Sequence, residues 1–332
     1  MDRAPRTNLG LTRGRRSPLH GDAFLAEVRA GLSRHPRSIP SKYFYDARGS
    51  RLFQWISRLP DYYLTRVERE ILDQHGEAIL APLRGGACTV VDLGAGDGHK
   101  TLQLLRRLVQ AGPGATYAPV DLSGAALDEV AARVRAELPG VAVRPVRATY
   151  SRALRLLADA PELGPKLVLF LGSSIGNFEH GAARAFLREL RGALRPGDHL
   201  LVGFDLVKPL TLLQRAYDDP QGVTRAFNLN LLTRLNRELG ADFDLSAFQH
   251  VATWDPERPA MESWLESACA QNVRMGGRLV QFAPGERIQT EISCKYSEAQ
   301  VTEFAADAGF SEVGRFRDRD RWFVDVLWSV AR

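Results

Sequence analysis

Val90-Val-Asp-Leu-Gly-Ala-Gly-Asp-Gly-His-Lys100 sets three glycines directly behind a hydrophobic run and ahead of a helical pattern. Glycine lets a backbone turn tightly and come close to a ligand, and the first N–H groups of the helix that follows are unpaired. Outward from this loop the chain alternates between two periodicities. Strands are expected at Thr89 to Leu93, Ala115 to Val120, Val141 to Val146, Leu167 to Leu171 and His199 to Phe204, with helices from near Lys100, Ala125, Ser151 and Ala182. Five strands joined by four helical crossovers describe an α/β fold with a parallel sheet covered on both faces.

The rhythm changes on either side of this block. Val313 to Phe316 and Trp322 to Ala331 are joined only by Arg317-Asp-Arg-Asp-Arg321, too short for a crossover, so they must pair as an antiparallel hairpin. After Asp205-Leu-Val-Lys-Pro209 come two helical stretches, Leu212 to Tyr217 and Val223 to Leu239. Strand-like pieces follow around His250 to Trp254, Glu262 to Met275 and Arg287 to Lys295, then a helix from Ser297 to Ala308. Ahead of the glycine loop lie a helix from Asp22 to Arg34, an aromatic stretch around Lys42 to Ser50, a Leu52, Phe53, Ile56 stripe and a helix from about Thr65 to Leu80. These flanking parts read as a second structural unit.

The chain has 332 residues, 45% hydrophobic and 25% charged, an ordinary globular composition with room for two domains. No apolar run is long enough to span a bilayer, and no apolar stretch backs the arginine-rich N-terminus, so a cytoplasmic protein without a membrane partner is expected. Cys88, Cys269 and Cys294 stand far apart without a His at ligand spacing, which argues against a disulfide framework or a zinc site. Of the formal charge of +5, five arginines against one aspartate put +4 into the first sixteen residues. The remainder is nearly neutral, so a nucleic-acid partner is not expected, and residues 1–19 read as a disordered basic tail.

A dinucleotide fingerprint would carry a third Gly or Ala at position 99, where His99 stands, and its sheet would normally continue in parallel. Asp92-x-Gly94-x-Gly96-x-Gly98 instead resembles the first motif of the class I S-adenosylmethionine (SAM) methyltransferases. Asp121 supports this by its place at the end of the next strand, where a carboxylate can accept from both ribose hydroxyls, at roughly 1.5–3 kcal/mol per charge-assisted bond. The terminal hairpin fits the same class.

Other segments carry a narrower resemblance. Tyr43-Phe-Tyr-Asp-Ala-Arg-Gly-Ser-Arg-Leu-Phe53 through Leu59-Pro-Asp-Tyr-Tyr-Leu-Thr-Arg-Val-Glu68, Phe170-Leu-Gly-Ser-Ser-Ile-Gly-Asn177, Tyr217-Asp-Asp-Pro-Gln-Gly-Val-Thr-Arg-Ala-Phe-Asn228 and Gln289-Thr-Glu-Ile-Ser-Cys-Lys295 closely resemble the L-histidine Nα-methyltransferases. Those enzymes make hercynine, the betaine of histidine, in ergothioneine biosynthesis. The resemblance runs from about residue 37 to the end. It implies a class I methyltransferase domain, a Rossmann-like sheet with a terminal antiparallel hairpin, over 67–207 and 296–332. A second, α+β substrate-binding domain would comprise 20–66 and 208–295.

By motif, the resemblance implies that Gly94, Gly96, Lys100, Asp121, Thr149, Tyr150 and Gly172 hold SAM. Tyr62, Asn177 and Tyr217 would grip the histidine carboxylate, Glu291 and Ser293 the imidazole, and Tyr45 and Phe53 would line the pocket of the reacting amine. No metal is implied, and the enzyme is expected to act as a monomer on a small amino acid. The chemistry is coherent. Glu291 and Ser293 are two apart on a strand, so both face one side and offer a carboxylate acceptor and a hydroxyl to the two ring nitrogens. Tryptophan, with one donor and no acceptor, would leave a buried polar group unpaired there.

Each residue also has a plainer reading: Tyr45, Phe53 and Tyr62 as core aromatics, Glu291 in an exposed ion pair with Lys295, Asn177 as a turn former and Tyr217 as a helix end. Their joint occurrence in order outweighs these. Two positions depart from the family pattern. Ala148-Thr149-Tyr150 stands where an acidic residue and then an aromatic commonly contact adenine, and Ser263 stands where a methionine commonly walls the pocket. The second departure keeps another amino acid or a histidine derivative open as substrate.

Overall fold

The hydrophobic run before the glycine loop is the centre of the large sheet. The computed structural model describes residues 21–83, 86–112, 114–159 and 164–330; the tail expected over 1–19, and Ala331 of the hairpin, lie outside the described residues. Every residue of β2 (Cys88–Leu93) is buried, as a strand covered on both faces requires. Around it β3 (Ala115–Asp121), β6 (Lys166–Phe170) and β7 (His199–Asp205) run parallel.

The strand expected over Val141 to Val146 is instead two short pieces, β4 (Ala142–Val143) and β5 (Val146–Arg147), which keep one register on β3. The gap at Arg144-Pro145 lies level with Ala118-Pro119, so both chains bring a proline without an N–H to the same rung. At the other edge β13 (Ser311–Arg317) and β14 (Phe323–Ser329) form the antiparallel hairpin, and β14 pairs antiparallel with β7. The resulting order is β13-β14-β7-β6-β2-β3-β4. Its parallel order reverses at β2, which makes the edge beyond the carboxyl ends of β2 and β6 the place where an open α/β sheet takes ligands.

One face of this sheet is covered by α3 (Tyr63–Leu80), α4 (His99–Ala111) and α5 (Gly124–Glu137). The other is covered by α6 (Tyr150–Ala158), α7 (His180–Ala193) and α10 (Glu298–Ala308). Ser297 and Gln300 cap α10 reciprocally, an arrangement worth about 1 kcal/mol.

A smaller sheet has the order β1-β12-β9-β8, from β1 (Arg37–Ser38), β8 (Phe248–Asp255), β9 (Ala260–Ser267) and β12 (Arg287–Cys294). The piece expected over Glu262 to Met275 is broken, because Ser267 donates to the Cys269 carbonyl and accepts from Gln271 Nε2, closing a turn. Beyond it β10 (Gln271–Met275) pairs with β11 (Arg278–Phe282) across Gly276-Gly277, both at positive φ, a hairpin of their own. On the small sheet α1 (Asp22–Leu32), α2 (Ala47–Ile56) and α9 (Val223–Leu239) bury Phe24, Leu52, Phe227, Leu231, Leu265 and Ile288 together.

The two sheets meet through a separate apolar cluster. It joins Tyr63 and Val67 of α3, Leu213 and Tyr217 of α8 (Leu210–Tyr217), Met261 of β9 and Phe323 of β14. The chain leaves the large sheet at Asp205 and returns at Tyr296, and these crossings run side by side: Tyr296 N donates to Asp205 O at 3.0 Å and Val207 N to Tyr296 O at 3.0 Å. Among the described residues no helix is long and apolar enough to cross a membrane.

Candidate active site

Gly94, Gly96 and Gly98 take φ of 80°, 54° and 69°, left-handed values that side chains rarely adopt. Gly94 and Gly96 are exposed, and a Cβ on Gly94 would stand 2.8 Å from the Tyr150 hydroxyl. The loop rests on Asp92, whose buried carboxylate accepts from Thr101 Oγ1 at 2.5 Å and the Tyr117 hydroxyl at 2.9 Å. Burial pushes that carboxyl up to about 6 against the pull of both hydroxyls. Asp92 is therefore the loop's support, beneath the ligand surface.

Asp121, at the end of β3, accepts from Gly96 N at 3.1 Å and Ser123 N at 2.8 Å, and burial raises its carboxyl. Backbone N–H groups thus use part of its acceptor capacity of roughly four lone-pair sites, leaving some for a ligand's hydroxyls. Thr149 is the N-cap of α6 with its side chain not engaged in capping, and Tyr150 opens that helix beside Gly94. A side-chain-free backbone cradle with the Asp121 carboxylate bonded to Gly96 N and the Tyr150 phenol beside Gly94 could hold the nucleoside end of SAM.

Lys100, at the start of α4, reaches across to the loop after β6. Its ammonium is paired with Glu68 of α3, and the other Glu68 oxygen accepts from Gly172 N at 2.6 Å. Glu68 thus clasps the start of α4 to the loop after β6, a role the sequence reading did not assign. Asp325 of β14 is buried nearby with neither oxygen hydrogen-bonded; burial first, then the Glu68 charge, hold it well above the usual range.

That loop after β6 is strained and closely packed. Ser173 sits at φ 54° with its hydroxyl accepting from Asp205 N at 3.1 Å. A Cβ on Gly176 would lie 2.9 Å from the Cys294 carbonyl oxygen, so the turn Ser174–Asn177 rests directly against β12. Asn177 ends this turn with an exposed side chain.

On β12 the ladder shifts register between Gln289 and Glu291, and Thr290 at the irregularity hydrogen-bonds Asn228 and the Ser263 carbonyl. Glu291 then faces Ser263 directly across the pair, and the Ser263 hydroxyl donates to it at 3.4 Å. Burial pushes the Glu291 carboxyl up to about 7, against the opposing charge of Lys295 and the Ser263 bond. Lys295 is fully buried and is paired with Asp205 at 3.0 Å, so the exposed Glu291–Lys295 ion pair does not form. Ser293 accepts from the Tyr217 hydroxyl at 2.6 Å and from Lys295 at 2.8 Å, and Lys295 also donates to Tyr217 at 2.7 Å. Tyr63 donates to Asp205 at 2.7 Å, and Lys208 is a second cation on it. Burial would raise Asp205, but Lys295 and Lys208 overcome it and hold the carboxyl below its usual range.

Tyr45, Phe53, Tyr62 and Phe227 complete the wall. Ring centroids lie 5.7 Å apart for Tyr45–Phe53, 6.1 Å for Phe53–Tyr62 and 5.9 Å for Phe53–Phe227, mostly edge to face. Burial foremost, then the neighbouring Glu291, Tyr62, Tyr150 and Asp121, raise the Tyr45 phenol well above its ordinary range. Tyr45 thus feels the charge of both Asp121 and Glu291. Phe227 was not singled out, although it lies in a quoted motif.

An open sheet of this order, with a terminal hairpin, a glycine cradle after its central strand and a carboxylate ending the next, defines a class I SAM-dependent methyltransferase. The profile of the family described as histidine-specific methyltransferase, SAM-dependent, matches residues 24–330, and the chain belongs to that family. SAM is accordingly the methyl donor. Histidine N-alpha-methyltransferase of Mycolicibacterium smegmatis is 43% identical over 306 residues, 92% of each chain. Its counterpart in Mycobacterium tuberculosis is 42% identical over 305 residues, 91% of each chain. Ergothioneine biosynthesis protein 1 of Schizosaccharomyces pombe is 30% identical over 286 residues, 84% of this chain and 37% of that one.

Proposed function

We propose that this protein transfers methyl groups from SAM to the α-amino nitrogen of L-histidine, three in succession, giving hercynine for ergothioneine biosynthesis. The observation that carries this reading is that Glu291 and Ser293 stand two apart on β12, so a carboxylate acceptor and a hydroxyl share one face and suit the two ring nitrogens. Bound in the cradle of Gly94, Gly96, Asp121, Thr149, Tyr150 and Gly172, with Lys100 at its margin, SAM supplies an electrophilic methyl carbon.

The chain's own residues do the rest by placement. Tyr62, Asn177 and Tyr217 hold the carboxylate, Glu291 and Ser293 the ring, and the two grips together fix the direction of the amine. Tyr45 and Phe53 exclude water from that amine, and burial favours its unprotonated, attacking form. As hydrogens are replaced by methyl groups the amine loses its donors, and ring faces accept the growing cation without requiring one. The division of labour assigns 67–207 and 296–332 to the cofactor and 20–66 and 208–295 to the substrate, within a cytoplasmic monomer that needs no metal.

Mass spectrometry of the protein incubated with SAM and each common amino acid separately tests this. Histidine carrying three methyl groups is the expected dominant product. Methylation of another amino acid with histidine untouched would overturn the substrate, and accumulation of monomethylhistidine under excess SAM would overturn the succession. Ser263, opposite Glu291 where the family commonly has methionine, favours a histidine derivative as the second reading.

A further inference from the structure

Lys295 has no place in the roles drawn so far, yet it is fully buried and reaches three oxygens: Asp205 Oδ2 at 3.0 Å, the Tyr217 hydroxyl at 2.7 Å and Ser293 Oγ at 2.8 Å. An ammonium only donates. Each hydroxyl that receives a hydrogen from Lys295 therefore keeps its own proton for some other acceptor. In the structure the Tyr217 proton goes to Ser293 at 2.6 Å, as expected when the more acidic phenol meets an alcohol. Ser293 Oγ then has both lone pairs occupied, by Lys295 and Tyr217. Its own hydrogen is left to point outward, on the face it shares with Glu291.

We propose that Lys295 is a positioning residue that makes Ser293 and Tyr217 hydrogen-bond donors toward the substrate, so that the pocket presents one ring acceptor, Glu291, and one ring donor, Ser293. This rests on the reading of Glu291 and Ser293 as the imidazole site, and deepens it by assigning the proton pattern. The ring selected is the neutral imidazole, its N–H donated to Glu291 and its bare nitrogen accepting from Ser293. An imidazolium, with two donors, meets a donor. Once a carboxylate takes the Tyr217 proton, Lys295 still fills one lone pair on each hydroxyl, so each keeps a hydrogen to give and Ser293 stays biased, though no longer locked, toward donating to the ring.

Asp205 fixes the ammonium. It ends β7 of the large sheet, is anchored by Tyr63 and Lys208, and receives Lys295 across the two side-by-side chain crossings. The Lys295 ammonium so placed opposes the effect of burial on Glu291 and favours its ionised form.

The test compares histidine with the two pyrrolylalanines, each of which keeps one ring N–H and has C–H where the other nitrogen was. Initial rates at several concentrations, followed by mass spectrometry, yield kcat/KM for each. The parent enzyme is expected to prefer histidine over the better pyrrole by about tenfold or more, because that ring leaves the Ser293 donor unpaired. Lys295→Met and the doubly neutral Asp205→Asn/Lys295→Met, which leaves no charge at either position, should reduce the preference to within about threefold by freeing Ser293 to turn. SAM affinity, read by calorimetry, should stay near the parent value in both. A parent-like preference in these variants, whatever happens to kcat, overturns the role of Lys295 provided Ser293→Ala abolishes the preference. If Ser293→Ala also leaves it intact, the imidazole site itself is misplaced and the proposal falls with it.

Discussion

On the proposed assignment, the surface offered to a ligand at the glycine loop is backbone, with Gly94 and Gly96 exposed at positive φ, whereas along β12 it is side chains, Glu291 and Ser293, backed by a buried lysine. The first kind of surface is set by where a Cβ cannot be. The second is set by which atoms donate and which accept, and it collapses if one member of the network changes. Backbone recognition suits a cofactor that many enzymes share; side-chain recognition suits the one substrate that sets this family apart.

The strongest way to break the contrast is to put a side chain into the cradle. Gly94→Val places a branched Cβ at φ 80° and against the Tyr150 hydroxyl, 2.8 Å from the first added atom. SAM affinity should fall by about a hundredfold or more in calorimetry, with the circular dichroism of the fold retained. Tight SAM binding by this variant would mean that the cofactor lies elsewhere.

A smaller expected effect sharpens the contrast by testing a side chain at the glycine-loop end. Glu68→Gln weakens the clasp between Lys100 and Gly172 N, and SAM affinity should fall about tenfold, the loss expected for a buried charged bond. An unchanged Kd would make that clasp a matter of folding alone.

The smallest effect is on stability. With its carboxyl raised from 4.5 to about 7, Glu291 holds a proton more tightly in the folded chain than in the unfolded one. Its contribution is present in acid and lost as pH rises through about 7. Glu291→Gln cannot ionise, so it should gain about 1–2 kcal/mol on the parent between pH 5 and pH 8 in urea unfolding. A pH-independent difference would place Glu291 in a wetter setting than the one described.

The same contrast explains what the sequence revealed. Glycine spacing, the carboxylate at Asp121 and the short Arg317–Arg321 link are local signals, and the sheet order with its hairpin follows from them. The split of the third expected strand is also written locally, in Pro119 and Pro145, and the hairpin across Gly276-Gly277 in a two-glycine turn. The proposed substrate end was reached mainly through resemblance. Nothing in Glu291-Ile-Ser-Cys-Lys295 says that its lysine turns inward to an aspartate ninety residues upstream, because that pairing depends on two chain crossings meeting in space. For the same reason Glu68 and Phe227 stood inside recognised motifs without a role.

Calorimetry of SAM and of L-histidine binding to Glu291→Ala/Ser293→Ala tests the division most directly, with histidine titrated in the presence of the SAM-derived product S-adenosylhomocysteine. SAM should bind within about threefold of the parent value while histidine binding falls by about a hundredfold or more, since both ring contacts go and the cradle is untouched. Histidine binding at parental strength would contradict the assignment of β12 as the surface that recognises the substrate.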